Sequence, residues 1–198
     1  MSVDTRTLQV RQFQYMEPVT QTLAHEQFMG LLSGVFIVKQ PLIGDRLVIP
    51  SEPFSRIRNN LWVGGIPPIG KGVAQYFDCL VLAAMEWQSH WDYPGVEVLQ
   101  ARLNDSQEHR MTRNEQMDAV RVAGIAIRRL SEGKSVLSTC HMGLNRSCLI
   151  GALILCRGPE RFSPKAAVKL IRQARGPYAL SNQDFTQLLN DLHILVPL

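Results

Sequence analysis

The chain has 198 residues, 45% hydrophobic and 19% charged, which is enough for one well-filled core and too little for two independent domains. Its formal net charge of +4 is mildly basic, which suits anionic substrates but falls well short of proving nucleic-acid binding. Met1 to Glu17 lacks the apolar run of a signal peptide, and Phe28 to Val38 is too short to cross a bilayer, so a soluble cytoplasmic protein with no membrane partner is expected.

Residues 1–53 are broken by Pro18, Pro41, Pro50 and Pro53 and carry two strand-like pieces, Phe28 to Val38 and Arg46 to Ile49. They are expected to form an N-terminal extension packed on the domain. From Ile57 the pattern becomes regular. Leu61-Trp-Val-Gly-Gly65 ends in glycines as a strand leaving a sheet does, Phe77 to Ala84 is a continuous apolar run, and Val96 to Leu103 alternates loosely, which predicts three strands. Thr112-Arg-Asn-Glu115 is a capping box opening a helix whose apolar positions Met117, Val120, Ile125, Ile127 and Leu130 run to a stop at Gly133. Ser135 to Thr139 reads as a short buried strand. Three helices follow: Ser147 to Arg157, Ser163 to Arg175 with Pro164 in its first turn, and Ser181 to Leu195, the last two capped by their serines. Helices alternating with apolar strands predict an α/β fold, an open, mostly parallel central sheet with helices on both faces. In such sheets ligands sit beyond the carboxyl ends of the strands, and Cys140 falls there.

Cys140-His-Met-Gly-Leu-Asn-Arg146 lies between the last strand and a helix and is followed directly by Ser147. A loop of this length at a helix N-terminus turns its N–H groups inward as an anion nest, and Gly143 supplies the backbone freedom for the turn. His141, Met142, Gly143, Leu144, Asn145 and Arg146 are therefore the candidate phosphate- or oxyanion-binding residues. Arg146 adds a planar fork that matches two phosphate oxygens at once. A thiol beneath these donors is expected to be an activated nucleophile, since such cysteines titrate at roughly 3.5–7.5 rather than about 8.5. Ser147 can hydrogen-bond the sulfur and help it leave. Cys79, Cys148 and Cys156 show no C-x-x-C spacing and stand in apolar surroundings, so they read as reduced core thiols. His90, His109 and His141 fit no metal-ligand spacing.

The stretch Val136-Leu-Ser-Thr-Cys140-His-Met-Gly143-Leu-Asn-Arg146-Ser147 resembles the signature of the dual-specificity branch of the cysteine-dependent protein tyrosine phosphatases, a valine-rich strand followed by His-Cys-x-x-Gly-x-x-Arg-Ser. Upstream, Phe54 to Gly65 is similar to the opening strand of these enzymes. Downstream, Ile171-Arg172, Arg175 and Asn182-x-x-Phe185-x-x-Leu188 resemble their closing helices, so the likeness covers about residues 54 to 195. It implies a catalytic domain over residues 54–198. The implied reaction is hydrolysis of phosphomonoesters, phosphotyrosine and/or phosphoserine/threonine in proteins, through a phosphocysteine intermediate and without metal or other cofactor. The resemblance also implies a general acid on the loop before the long helix, where Leu103-Asn-Asp105 puts Asp105; Glu108 and Asp92 are weaker candidates by position. Thr139 is a departure, because the family has there a histidine that orients the cysteine and tunes its pKa.

The loop contains no lysine, which argues against a highly charged inositol headgroup. Asn145 before Arg146 is similar to the RNA 5′-triphosphatase relatives and keeps an RNA 5′-phosphate open as a second substrate class, although the aromatic and basic interleaving of single-strand binders is missing. A non-catalytic phosphate-binding pseudophosphatase is a third reading. Such proteins usually lose the cysteine, the arginine or the acid, and all three are present here. A rhodanese-like sulfur transferase leaves Ser147 and Asp105 unexplained.

Overall fold

The structure, a computed structural model, describes residues 53–106 and 109–195; the strand-like pieces and the packed extension expected before Pro53 lie outside this range. Strands Phe54–Arg58 (β1) and Leu61–Gly64 (β2) form an antiparallel hairpin. The opening strand read from the sequence is therefore two strands, joined at Asn59-Asn60, with Asn59 at φ 39° in the left-handed region that asparagine tolerates. Strands Cys79–Leu82 (β3), Glu97–Gln100 (β4) and Val136–Thr139 (β5) complete a sheet of order β1-β2-β5-β3-β4. Every neighbouring pair except β1 and β2 is parallel. The central strand β5 is buried at all four positions, which is why its sequence shows no alternation. Edge strand β4 is half-buried along its length.

Two strands are shorter than their apolar runs. Ala83, Ala84, Ala101 and Leu103 are buried without belonging to a strand, because the chain passes under the helices after leaving the sheet. The helices are Arg113–Ser131 (α1), Arg146–Arg157 (α2), Pro164–Arg175 (α3) and Gln183–Leu195 (α4). The capping box of α1 forms as read: Thr112 Oγ1 accepts from Glu115 N at 3.3 Å, and Glu115 Oε2 accepts from Thr112 N at 2.8 Å. Ser163 caps α3 by accepting from Ala166 N at 3.3 Å. The cap of α4 differs from the expected Ser181. Asn182 Oδ1 accepts from Asp184 N at 3.0 Å, while the Ser181 N–H and hydroxyl both turn to Asn145 Oδ1, at 2.9 and 3.2 Å.

Helices lie on both faces of the sheet, unequally. The four α-helices pack on the face formed by Leu61, Val63, Cys79, Val81 and Val136. The opposite face, with Phe54, Phe77, Leu80, Leu82 and Leu137, is covered by Val73 and Tyr93 from the regions of two short 3₁₀ helices, Lys71–Gln75 and His90–Asp92. Helix α2 is buried from Arg146 through Leu155, so its sequence is apolar all round. It lies so close to β2 that a Cβ on Gly151 would stand 2.7 Å from Val63 Cγ1. Removing packing beneath it should be costly. Leu153→Ala is expected to destabilise the fold by about 2–5 kcal/mol in urea unfolding, the range for a fully buried leucine.

Candidate active site

The central strand ends at the site. Cys140 follows β5 directly, is 2% exposed, and is held by its backbone N–H donating to Gly64 O at 3.2 Å. The Gly143 N–H donates to Cys140 Sγ at 3.3 Å, and Ser147 Oγ, in the first turn of α2, lies 3.3 Å from the same sulfur. Gly143 has φ 71°, and a Cβ there would lie 2.4 Å from Gly64 C and 2.5 Å from Gly65 N and Arg175 Nη2. Only glycine fits this turn, for its backbone angle and for the space.

Arg175, at the end of α3 and 2% exposed, braces the loop from outside. Its Nε donates to Gly143 O at 3.1 Å, its Nη2 to Met142 O at 3.3 Å and its Nη1 to Ser55 Oγ at 3.2 Å. With those carbonyls held on the far side, the loop can present N–H groups toward the sulfur, as Gly143 does. Leu144 O accepts from Leu180 N at 2.8 Å, which ties the same loop to the segment before α4.

Arg146 is 7% exposed. Its Nη1 meets the carboxylate of Glu86 and donates to Leu103 O at 3.3 Å; its Nε is buried with no hydrogen-bond partner among the described residues. A buried donor left unpaired is costly, and an oxyanion in the loop would supply an acceptor for it. Asp105 is half-buried, and its Oδ1 accepts from Asn182 Nδ2 at 3.1 Å. Burial pushes its pKa above the ordinary aspartate value, against hydrogen bonds from Asn182 and Asn145 and the charge of Arg146. His141 stacks on Trp87 with ring centroids 4.6 Å apart, and burial, then the Arg146 cation, lowers its pKa, so the imidazole is neutral at pH 7.

Thr139 is fully buried and accepts from Gln88 Nε2, while its own hydroxyl donates to Val81 O at 3.4 Å. Where the family signature has histidine, this chain therefore ties the residue before the cysteine to β3 and to the loop that follows it. Burial drives the Cys79 and Cys148 thiols up to about 12 and Cys156 up to about 11, which leaves them inert. Asp92 is committed to the Ser89 capping box and Glu108 lies outside the described residues. His90 packs against Trp91, and His109 Nε2 lies 2.9 Å from Glu115 Oε2. Among the described residues no group of three His, Cys, Asp or Glu side chains converges as a metal site would require. No helix among them is long and apolar enough to cross a membrane.

The structure places Asp105 against the Cys140–Arg146 loop, where the Asn145 side chain hydrogen-bonds it. Sequence reading missed Glu86, Gln88 and the bracing role of Arg175. Glu86 and Gln88 belong to no motif, and Arg175 looked only like part of a closing helix.

No family model matches the chain, and no curated protein matches its sequence. Solved structures do match. Tk-PTP in its active form superposes with a TM-score of 0.61 at 24% identity, over 73% of this chain and 98% of that one. Human DUSP28 gives 0.59 at 18% identity, over 72% and 94%. OH1 from the Orf virus, a tyrosine phosphatase, gives 0.55 at 20% identity, over 77% and 92%. The chain thus shares the fold of these structures, a mostly parallel five-stranded sheet flanked by helices.

The brace makes a prediction. Arg175→Ala should cost about 1–3 kcal/mol for each buried carbonyl left unsatisfied, measured by urea unfolding, and should weaken inhibition by inorganic vanadate. Unchanged stability would mean that the loop holds its shape without the guanidinium.

Proposed function

We propose that the protein is a cysteine-dependent phosphatase, with its catalytic domain over residues 54–198, that hydrolyses phosphomonoesters of tyrosine and/or serine and threonine in proteins. The observation that carries this reading is the convergence at one loop of a thiol accepting from a backbone N–H, a buried guanidinium with an unpartnered Nε, and a half-buried carboxyl of raised pKa. Residues 1–53 are assigned as an extension to that domain.

In the first step Cys140 Sγ attacks phosphorus in line, forming the S–P bond as the P–O bond to the substrate breaks. Arg146 and the backbone N–H groups of residues 141 to 146 hold the equatorial oxygens, and Asp105 gives its proton to the departing oxygen. In the second step water attacks the phosphocysteine. Asp105, now ionised, takes the water proton, and the Ser147 hydroxyl donates to the sulfur as the S–P bond breaks. The loop amides and Arg146 neutralise the phosphoryl charge, so no cofactor enters the scheme. The four free cysteines suit a reducing compartment, and we assign the protein to the cytoplasm.

An RNA 5′-phosphate substrate draws less support. The resemblance to RNA 5′-triphosphatases rested on Asn145, and its side-chain carbonyl is occupied by Ser181 and Asn182 rather than turned into the loop. A purely phosphate-binding role leaves the raised pKa of Asp105 without use.

The reading is tested by phosphate release from p-nitrophenyl phosphate and from a phosphotyrosine peptide, with release of thiosulfate sulfur as the control for a sulfur transferase. Cys140→Ser is expected to abolish phosphate release while retaining the fold; substantial activity in that variant would overturn the assignment. Arg146→Lys should lower kcat by about a hundredfold or more, since lysine offers no bidentate contact to the loosening phosphoryl group.

The pH profile follows from Asp105. The acid works while protonated, and burial raises its pKa, so the protonated form persists above the ordinary aspartate range. The basic limb of kcat/KM for phosphotyrosine is therefore displaced upward, and Asp105→Asn should remove that limb and lower the rate by roughly 10²–10⁴-fold. A profile whose basic limb survives the substitution would transfer the acid role to another group.

A further inference from the structure

We infer that Asn182 is a positioning residue for Asp105 that fixes which carboxyl oxygen carries the transferable proton, with Asn145 as a second amide donor to the same carboxyl. The inference rests on the reading of Asp105 as the general acid.

The orientation of both amides is set by backbone donors. Asn182 Oδ1 accepts from the Asp184 N–H at 3.0 Å as it caps α4. A backbone nitrogen only donates, so the Asn182 carbonyl must face it, and the NH₂ group is left to Asp105 Oδ1 at 3.1 Å. Asn145 Oδ1 accepts from Ser181 N at 2.9 Å and from Asn182 N at 3.3 Å, and its side chain also hydrogen-bonds Asp105. The same argument leaves its NH₂ group to the carboxyl. Two amide donors whose orientations are not free thus converge on one acid.

The Asn182 N–H is aimed at Oδ1, and the carbonyl oxygen of a neutral carboxyl is a better acceptor than its hydroxyl, which places the proton on Oδ2. When Asp105 has given up its proton, the same N–H groups stabilise the carboxylate that must act as base. The clamp therefore serves both halves of the cycle. The loop itself is held just before the acid: Leu103 O accepts from Arg146 Nη1 at 3.3 Å, and Asn104 N donates to Glu115 Oε1 at 2.8 Å. The charged groups acting on Asp105 are Arg146 of α2 and Glu86 of the loop after β3; the Cys148 thiol of α2 is neutral. On the flanking helices, Glu115 of α1 and Asp184 of α4 are occupied by the backbone N–H groups of Asn104 and Met111.

Asn182→Ser tests the clamp without removing the cap, because serine caps a helix about as well as asparagine. Its expected signature is a selective one. The basic limb of the kcat/KM profile moves to higher pH, since a donor to the carboxylate is gone, and turnover of a phosphotyrosine peptide falls by roughly tenfold, part of the 10²–10⁴ of acid catalysis. Turnover of p-nitrophenyl phosphate, whose leaving group departs with little help, stays within a few fold. Asn182→Asp, which also keeps the cap, should move the limb further by placing a second carboxylate against the first. A limb and a leaving-group dependence unmoved in both variants would overturn the inference, provided Asp105→Asn shows the acid's loss. If Asp105→Asn itself leaves the limb in place, it is the acid assignment that fails.

Discussion

The site depends on one buried cation. Arg175 stands between the β1–β2 hairpin and the Cys140–Arg146 loop and donates to two loop carbonyls and to Ser55. Burying a guanidinium is costly unless its donors are used, and here they hold the outer side of the loop that carries Cys140 and Arg146. The glycines make the close approach possible. Gly64, Gly65 and Gly143 meet where any Cβ on Gly143 would overlap backbone, so the loop is clasped against β2 as well as against α3.

Charge is distributed around this frame by burial. The Arg146 guanidinium is nearly enclosed, yet Glu86, which meets it, has a half-exposed side chain, so the pair connects the interior to the rim. Burial acts oppositely on Asp105 and His141, raising the one and lowering the other, and in both cases the neutral form is favoured. The outcome is a site where a carboxyl of raised pKa lies close to a nearly enclosed arginine. Thr139 is fixed by Gln88 and β3, while the Gly143 N–H donates to the neighbouring sulfur and Ser147 Oγ lies 3.3 Å from it.

What was legible in the sequence is what local chemistry decides. The capping box at Thr112, the buried central strand and the C-x5-R loop are each set within a dozen residues, and each appears where it was read. The hairpin was missed because Phe54 to Gly65 resembles, as one stretch, an opening strand, although Asn59-Asn60 is a turn signal. Ser181 and Asn182 are adjacent residues of equal capping ability, and the choice between them is made by Asn145, far away in sequence. Glu86, Gln88 and Arg175 escaped for the same reason. Their partners Arg146, Thr139 and Gly143 lie 60, 51 and 32 residues away, and no spacing rule links residues that only the fold brings together.

The central claim is that phosphate passes through the sulfur of Cys140. Rapid acid quench during turnover of a ³²P-labelled phosphotyrosine peptide, followed by peptide mapping, tests it directly. Label held on the sulfur of the peptide containing Cys140, and absent in Cys140→Ser, is the predicted result. Steady turnover with no label on the protein at any quench time, or label on another residue, would contradict it.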